Sequence, residues 1–126
     1  MPITAKLCLI LGGLNAALAV ILGAFGAHAL KTRVSAEMLA VYQTGVQYHF
    51  YHALGLVLVG LVILQLPESV FLKWSGGLML AGIVLFSGSL YGLSLGELRW
   101  LGPVTPFGGA AFIAAWIVFV VGVIKA

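Results

Sequence analysis

The residues of this chain that could do chemistry are concentrated in one run, residues 42–52, which reads Y-Q-T-G-V-Q-Y-H-F-Y-H. His49 and His52 are three residues apart, so a helical backbone would place both imidazoles on one face. Histidine changes charge near neutral pH and is a common metal ligand, so such a pair suits proton transfer or metal binding. A third histidine, His28, precedes the run. The candidate site is therefore a polar cluster near one membrane face, consisting of His28, Gln43, Gln47, Tyr48, His49, Tyr51 and His52.

Three interpretations of this cluster remain open. In the first, which we favour, the polar groups hydrogen-bond to each other, to backbone carbonyls and to lipid headgroups, and so hold the helices together. In the second, the histidines form a path for protons or a small solute, although no carboxylate lies inside an apolar segment to partner them. In the third, three converging imidazoles hold zinc, copper or haem, or the site takes a quinone. Haem would require His28, because His49 and His52 on one helix cannot bind its opposite faces.

The composition indicates the setting in which these residues act. Of the 126 residues, 63% are hydrophobic and 7% are charged, against about 45–50% and about 25% in soluble domains. A soluble protein of this length could not bury so much apolar surface. The net charge of +3 arises from few residues near the ends of apolar segments, which suits lipid headgroups rather than nucleic acid. A single cysteine, Cys8, excludes an internal disulfide and a thiolate metal cluster.

Four segments are long and apolar enough to cross a hydrocarbon core of about 30 Å as helices. They cover residues 7–30, 45–66, 74–95 and 106–124, and we predict one transmembrane domain over residues 1–126. The first segment exceeds the apolar core of a signal peptide, about 7–15 residues, so we interpret it as a span. Trp116 would lie in the middle of the fourth span, where we expect it to pack against another helix.

The predicted fold is thus an all-α integral membrane protein, a four-transmembrane-helix bundle, with a short interfacial helical segment before the second span. Ser35 is a favourable N-cap for a helix that begins at Ala36. If that helix continued through the second span, it would exceed the hydrocarbon core. Its first turns would then protrude from the membrane, or lie along the interface and bend near Gly45.

Small residues recur at steps of three and four in the first and fourth spans, and more loosely in the third at Gly77, Ala81, Gly88 and Gly92. There they would let helix backbones approach closely. We predict that these small residues form the packing seams of the bundle. The positions are Gly12, Ala16, Ala19, Gly23 and Gly26 in the first span and Gly108, Ala115 and Gly122 in the fourth. As partners we expect the lipid bilayer and either further copies of the chain, in a homo-oligomer, or the chains of a larger membrane complex.

Charge does not decide the orientation of the chain in the membrane. With an even number of spans both termini share one side, and the lysines and arginines are divided equally between the two sides. The side of the termini carries Lys6, Lys73 and Lys125, and the opposite side carries Lys31, Arg33 and Arg99.

The chain also carries four ordered motifs: G-A-F-G-A-H-A-L at residues 23–30, Y-Q-T-G-V-Q-Y-H at 42–49, F-S-G-S-L-Y at 86–91 and T-P-F-G-G at 105–109. Together they resemble the domain-of-unknown-function 423 family, small bacterial integral membrane proteins related to the eukaryotic transmembrane protein 256 group. The resemblance covers essentially the whole chain and implies a four-span protein of the bacterial inner membrane. It implies no established activity, cofactor or catalytic residue. The shared positions that this chain matches are Gly23, Gly26, His28, Tyr42, Gln43, His49, His52, Ser87, Gly88 and Pro106.

We therefore expect a non-enzymatic membrane protein, an accessory or assembly factor that acts through helix packing and needs no cofactor. The alternative is a transporter or channel oligomer for protons or a small solute that uses His28, His49 and His52. A metal-, haem- or quinone-binding protein is the less favoured third hypothesis.

Overall fold

The structure, a computed structural model, describes residues 1–126 and contains five α-helices and no strands. A π-helical segment, Ile83–Ser87, joins the third and fourth helices, and 3-10 turns lie at Leu30–Thr32 and Arg99–Val104. The helices are α1 (Ile3–His28), α2 (Ala36–Gln65), α3 (Val70–Gly82), α4 (Gly88–Gly96) and α5 (Thr105–Ile124).

Four helical segments are long and apolar enough to cross a membrane, so the molecule is an integral membrane protein built as a four-helix bundle, as predicted. The first span starts at Ile3, ahead of the predicted residue 7, because helical hydrogen bonding begins at Pro2, whose carbonyl accepts the amide of Lys6. The hydropathy of the sequence marks only the apolar part of this helix. The long aliphatic chain of Lys6 can run along the apolar helix while its ammonium group reaches water.

The helical segment predicted ahead of the second span is present and continues into that span without a break. Ser35 caps α2 by accepting the amide of Met38 at 3.1 Å, and the 30-residue helix then runs to Gln65. At 1.5 Å per residue it is about 45 Å long, so its ends extend beyond a hydrocarbon core of about 30 Å.

Helix α2 is the centre of the bundle. It packs against α1, α3, the π-helical segment and α4, whereas α5 packs mainly against α3. The half of the bundle near the termini holds a core that is almost entirely apolar, built from the fully buried Val59, Ile63, Leu72 and Met79 and their neighbours. The other half is joined by polar side chains, which form the candidate site described below.

The small residues of the first span face α2 within the same chain. A Cβ added at Gly12 would lie 2.9 Å from the carbonyl oxygen of Ala53, and one at Gly26 would lie 2.5 Å from Cε1 of the Tyr42 ring. Ala19 is buried, Ala16 is half-buried and Gly23 lies beside Val46.

The small residues of the fourth span face the third span. A Cβ at Gly108 would overlap the backbone nitrogen of Phe86 and lie 2.6 Å from its Cα. Ala115 is fully buried, and a Cβ at Gly122 would lie 3.2 Å from the side chain of Leu72. In the third span the predicted seam is wrong at Gly77, which has open space around it, because the neighbouring Gly76 faces Cys8 of α1.

Candidate functional site

His49 is buried and bonds to two other helices. Its Nε2 lies 2.9 Å from Oδ1 of Asn15 on α1, and its Nδ1 lies 2.8 Å from the hydroxyl of Tyr91 on α4. Asn15 donates its amide to the carbonyl of Leu11 at 2.8 Å, which leaves Oδ1 to accept from the imidazole. His49 therefore donates through Nε2, and in the neutral ring Nδ1 accepts the Tyr91 hydroxyl proton. One side chain thus joins α1, α2 and α4.

His52 is also buried, and its partners fix its tautomer. Its Nδ1 lies 2.7 Å from the carbonyl oxygen of Tyr48, and its Nε2 lies 3.0 Å from the indole nitrogen of Trp116 on α5. A carbonyl only accepts and an indole N–H only donates, so the proton is on Nδ1 and the ring is neutral. The ring also stacks on Phe112 with a centroid distance of 3.5 Å and an interplanar angle of 9°. Trp116 contacts another helix, as expected.

The polar run reaches deeper into the bundle than the sequence suggests. His52 lies near the middle of α2, and its partners Phe112 and Trp116 lie near the middle of α5. Hydropathy assigns a polar run to the membrane interface because it counts each polar group as solvated. Here the buried groups are paired with other helices, which makes them acceptable at depth.

Further hydrogen bonds join the same elements. The Tyr42 hydroxyl donates to the carbonyl of Leu22 on α1, and Ser87 donates to the carbonyl of Gly45 on α2 at 2.7 Å. The rings of Tyr42 and Tyr91 lie 5.5 Å apart. Every buried side-chain nitrogen and oxygen of the molecule has a hydrogen-bond partner.

The three histidines do not converge. The antiparallel register packs Gly26 against Tyr42, which places His28 beside the first turns of α2, about three helical turns from the level of His49. His28 is exposed and takes no part in the hydrogen bonds of the other two. No group of three or more histidine, cysteine or acidic side chains is arranged to hold a metal ion.

Of the other predicted site residues, Gln47 and Tyr51 form a pair on the outer surface of α2. Both are exposed, and Nε2 of Gln47 donates to the Tyr51 hydroxyl. Gln43 is also exposed. Tyr48 is partly exposed, and its ring packs on Phe86 at 4.9 Å. Gln47 and Tyr51 border an open groove of about 480 Å³ between α1 and α2.

The candidate site predicted from sequence omitted three partners of the buried histidines, Asn15, Tyr91 and Trp116. The available signals were weak: Asn15 is a single amide in an apolar run, and Tyr91 resembles a residue of the interfacial aromatic belt. Only the packing of the helices shows which of these side chains contact the buried histidines.

Comparison with known proteins places the chain among membrane proteins without an assigned function. A family model described as "Protein of unknown function (DUF423)" matches residues 22–109. The UPF0382 membrane protein YwdK of Bacillus subtilis is 52% identical over 120 residues, covering 95% of this chain and 98% of that protein. A UPF0382 membrane protein of Staphylococcus saprophyticus is 46% identical over the same length, with 95% and 98% covered. No solved structure matches the chain.

Proposed function

Because this chain belongs to the DUF423 family of membrane proteins of unknown function, we propose its role from the hydrogen bonds between its helices and not from a known reaction. It is a non-enzymatic protein, an accessory or assembly factor that acts through helix packing. Its partners are the lipid bilayer and other membrane-embedded chains rather than nucleic acid. The observation that carries the proposal is that five of the six buried polar side chains, all except Ser94, bond to another helical element.

The two buried imidazoles support this role most directly. An imidazole that acts as a base, a nucleophile or a metal ligand needs a ring nitrogen free for its substrate or metal. Both nitrogens of His49 and both nitrogens of His52 are already bonded to protein atoms. These bonds join α2 to α1, α4 and α5, which is the contribution expected of polar residues that hold a membrane bundle together.

A proton path, the main alternative, would require hydrogen-bonding groups that continue from one side of the membrane to the other. The bonds of His49 lead to Tyr91 and, through Asn15, to the backbone carbonyl of Leu11. Those of His52 lead only to Trp116 and to the backbone of its own helix. The two short chains share no group, so the geometry favours helix association over proton transfer.

The same architecture favours the bacterial inner (plasma) membrane as the location. Proteins that cross the outer membrane of bacteria are closed β-barrels with an alternating strand pattern, whereas this chain crosses with four apolar helices.

Reconstitution into sealed liposomes tests the proposed role. With a pH-sensitive dye inside, we expect proton flux equal to that of empty liposomes under gradients of either sign. The visible absorption spectrum and metal content of the purified protein should both be blank. Flux that disappears in His52→Ala and persists in the exposed control His28→Ala would overturn the proposal. So would a stoichiometric metal or haem.

A further inference from the structure

We propose that the chain forms a parallel homodimer through the groove between α1 and α2, in which Gln47 and Tyr51 of each copy hydrogen-bond to the same pair of the other copy. This inference rests on the proposed role in helix packing and names one partner and the surface it uses. The surface, here called the α1/α2 groove, is defined by Val20, Ala24 and the Gln47–Tyr51 pair.

The Gln47–Tyr51 pair has hydrogen-bonding capacity left over. Gln47 donates one N–H of Nε2 to the tyrosine oxygen, which leaves its own Oε1 as an acceptor and its second N–H as a donor. Tyr51 accepts that bond and keeps its O–H as a donor. The pair is exposed on the outside of the bundle, and no other group of the chain uses these spare functions.

The pair lies at a depth where lipid cannot satisfy it. Gln47 and Tyr51 both lie within about 6 Å of the middle of α2 along its axis, at 1.5 Å per residue. The hydrocarbon core extends about 15 Å to either side of the bilayer centre. Charged residues flank α2 at both ends, Glu37 in its first turn and Glu68 beyond its last, so the middle of the helix corresponds to the middle of the bilayer. An unmet donor or acceptor there is costly.

A second copy supplies what the pair lacks. A two-fold axis along the membrane normal brings equivalent residues to the same depth, so Tyr51 of each copy can donate to Gln47 Oε1 of the other. The Tyr51 hydroxyl proton and the Gln47 Oε1 of both copies are then used, the second N–H of Gln47 Nε2 stays in the interface, and the interface is isologous and carries no charge. A lipid chain could fill the groove, but it would leave the pair unsatisfied because its headgroup lies at the membrane surface.

The groove also has the shape for a close approach. It is open rather than enclosed, and its α1 wall presents Val20 and Ala24, which are short enough for a partner helix to pack near the backbone. Helix α1 packs almost solely on α2, so its outer side is available for a second chain.

Disulfide trapping in native membranes tests the arrangement. The single buried cysteine is first removed as Cys8→Ala, and one cysteine is then placed in the groove, as Ala24→Cys, or on the exposed face of α5, as Ile117→Cys. We expect mild oxidation to give a covalent dimer for Ala24→Cys and at least tenfold less for Ile117→Cys. Equal trapping at the two positions would overturn the proposed surface.

The hydrogen bonds are tested by dimer affinity, measured by energy transfer between labelled copies as the lipid-to-protein ratio rises. Gln47→Leu and Tyr51→Phe each remove both reciprocal bonds, so each should weaken the dimer about tenfold. The double variant should be no weaker than either single variant, because the same bonds are lost. Tyr48→Phe is the matched control: it keeps the ring that packs on Phe86 and Tyr51 and removes a hydroxyl that does not line the groove, so the affinity should not change.

The outcomes separate this inference from the proposed function. A protein that stays monomeric at every lipid ratio, or single variants that dimerise as well as the wild type, would overturn the homodimer. If such a monomer also gives no liposome flux, the helix-packing role stands without it. Proton flux through a dimer that meets every expectation above would overturn the function alone.

Discussion

At the scale of the residue, His52 has a hydrogen-bonding arrangement that only its neutral form can make. A second proton would be placed on Nε2, where it would face the indole N–H of Trp116 and break that bond. The ring would also carry a charge near the middle of the bundle, against Phe112. His52 is therefore suited to holding α5 against α2.

Removing the indole donor should loosen this contact by a modest amount. We predict that Trp116→Phe lowers the free energy of unfolding by about 0.6–1.7 kcal/mol, which spans the average and the largest measured contribution of one hydrogen bond between membrane helices. Unfolding in mixed detergent micelles gives the measurement. Trp74→Phe is the control because Trp74 is 65% exposed and makes no comparable bond; an equal loss in both variants would contradict the role assigned to the His52–Trp116 bond.

His49 should matter more because it joins three helices. We predict that His49→Leu lowers the free energy of unfolding by about 1–3 kcal/mol, since two bonds between helices are lost and Asn15 and Tyr91 keep unmatched polar groups. Tyr91→Phe removes one of the two bonds and should cost about half as much. The same unfolding assay compares them, and a His49→Leu variant as stable as the wild type would show that the bonds contribute nothing.

At the scale of the element, three pairs of adjacent glycines show how the helices are spaced. In each pair one glycine lies in a close contact and its neighbour does not, because consecutive helical positions point about 100° apart. The close members are Gly12, Gly76 and Gly108, and the open members are Gly13, Gly77 and Gly109. Each pair therefore provides a substitution and its control on the same helical turn.

The most severe contact is between α5 and the π-helical segment. A Cβ at Gly108 would overlap the backbone of Phe86, which cannot move without separating the two elements. We predict that Gly108→Ala costs about 3 kcal/mol, the upper end of the usual range for overpacking, or prevents folding. Folded yield and unfolding free energy are the measurements.

Gly109→Ala is the control for that substitution, because the added Cβ would approach only the Phe86 ring, at 3.8 Å. It should be neutral, or stabilise the helix by up to about 1 kcal/mol, since alanine favours helix more than glycine does. Equal destabilisation by the two substitutions would mean that α5 does not pack on the π-helical segment as described.

At the scale of the whole molecule, the fold was predictable because apolar length alone restricts the chain to four helices. The packing seams of α1 and α5 also follow from small residues at helical spacing. The seam of the third span does not: Gly76 and Gly77 are equivalent in sequence, and only the position of Cys8 on α1 distinguishes them.

The candidate site was less predictable because its groups are defined by which helices meet. His28 and His49 lie on adjacent antiparallel spans, so the sequence suggests that they contact each other. The register of α1 on α2 instead brings Asn15 to His49 and leaves His28 at the end of α1. Hydropathy likewise placed the polar run at the membrane interface, because it carries no information on the hydrogen bonds of Trp116 and Tyr91 to the buried imidazoles.

The equal division of lysine and arginine between the two sides has a consequence for insertion. Short loops that carry more positive charge stay in the cytoplasm, and here neither side has the excess. A small change should therefore decide the orientation.

We predict that replacing Lys31 and Arg33 by serine directs both termini to the cytoplasm, because Lys6 and Lys73 then lie on the more positive side. Replacing Lys6 and Lys73 by serine should direct the termini outward. C-terminal fusions to alkaline phosphatase, active outside, and to a fluorescent protein, active inside, report the two states. If the two double variants gave the same reporter ratio, orientation would be set by something other than charge, and the opposite shifts expected here would be refuted.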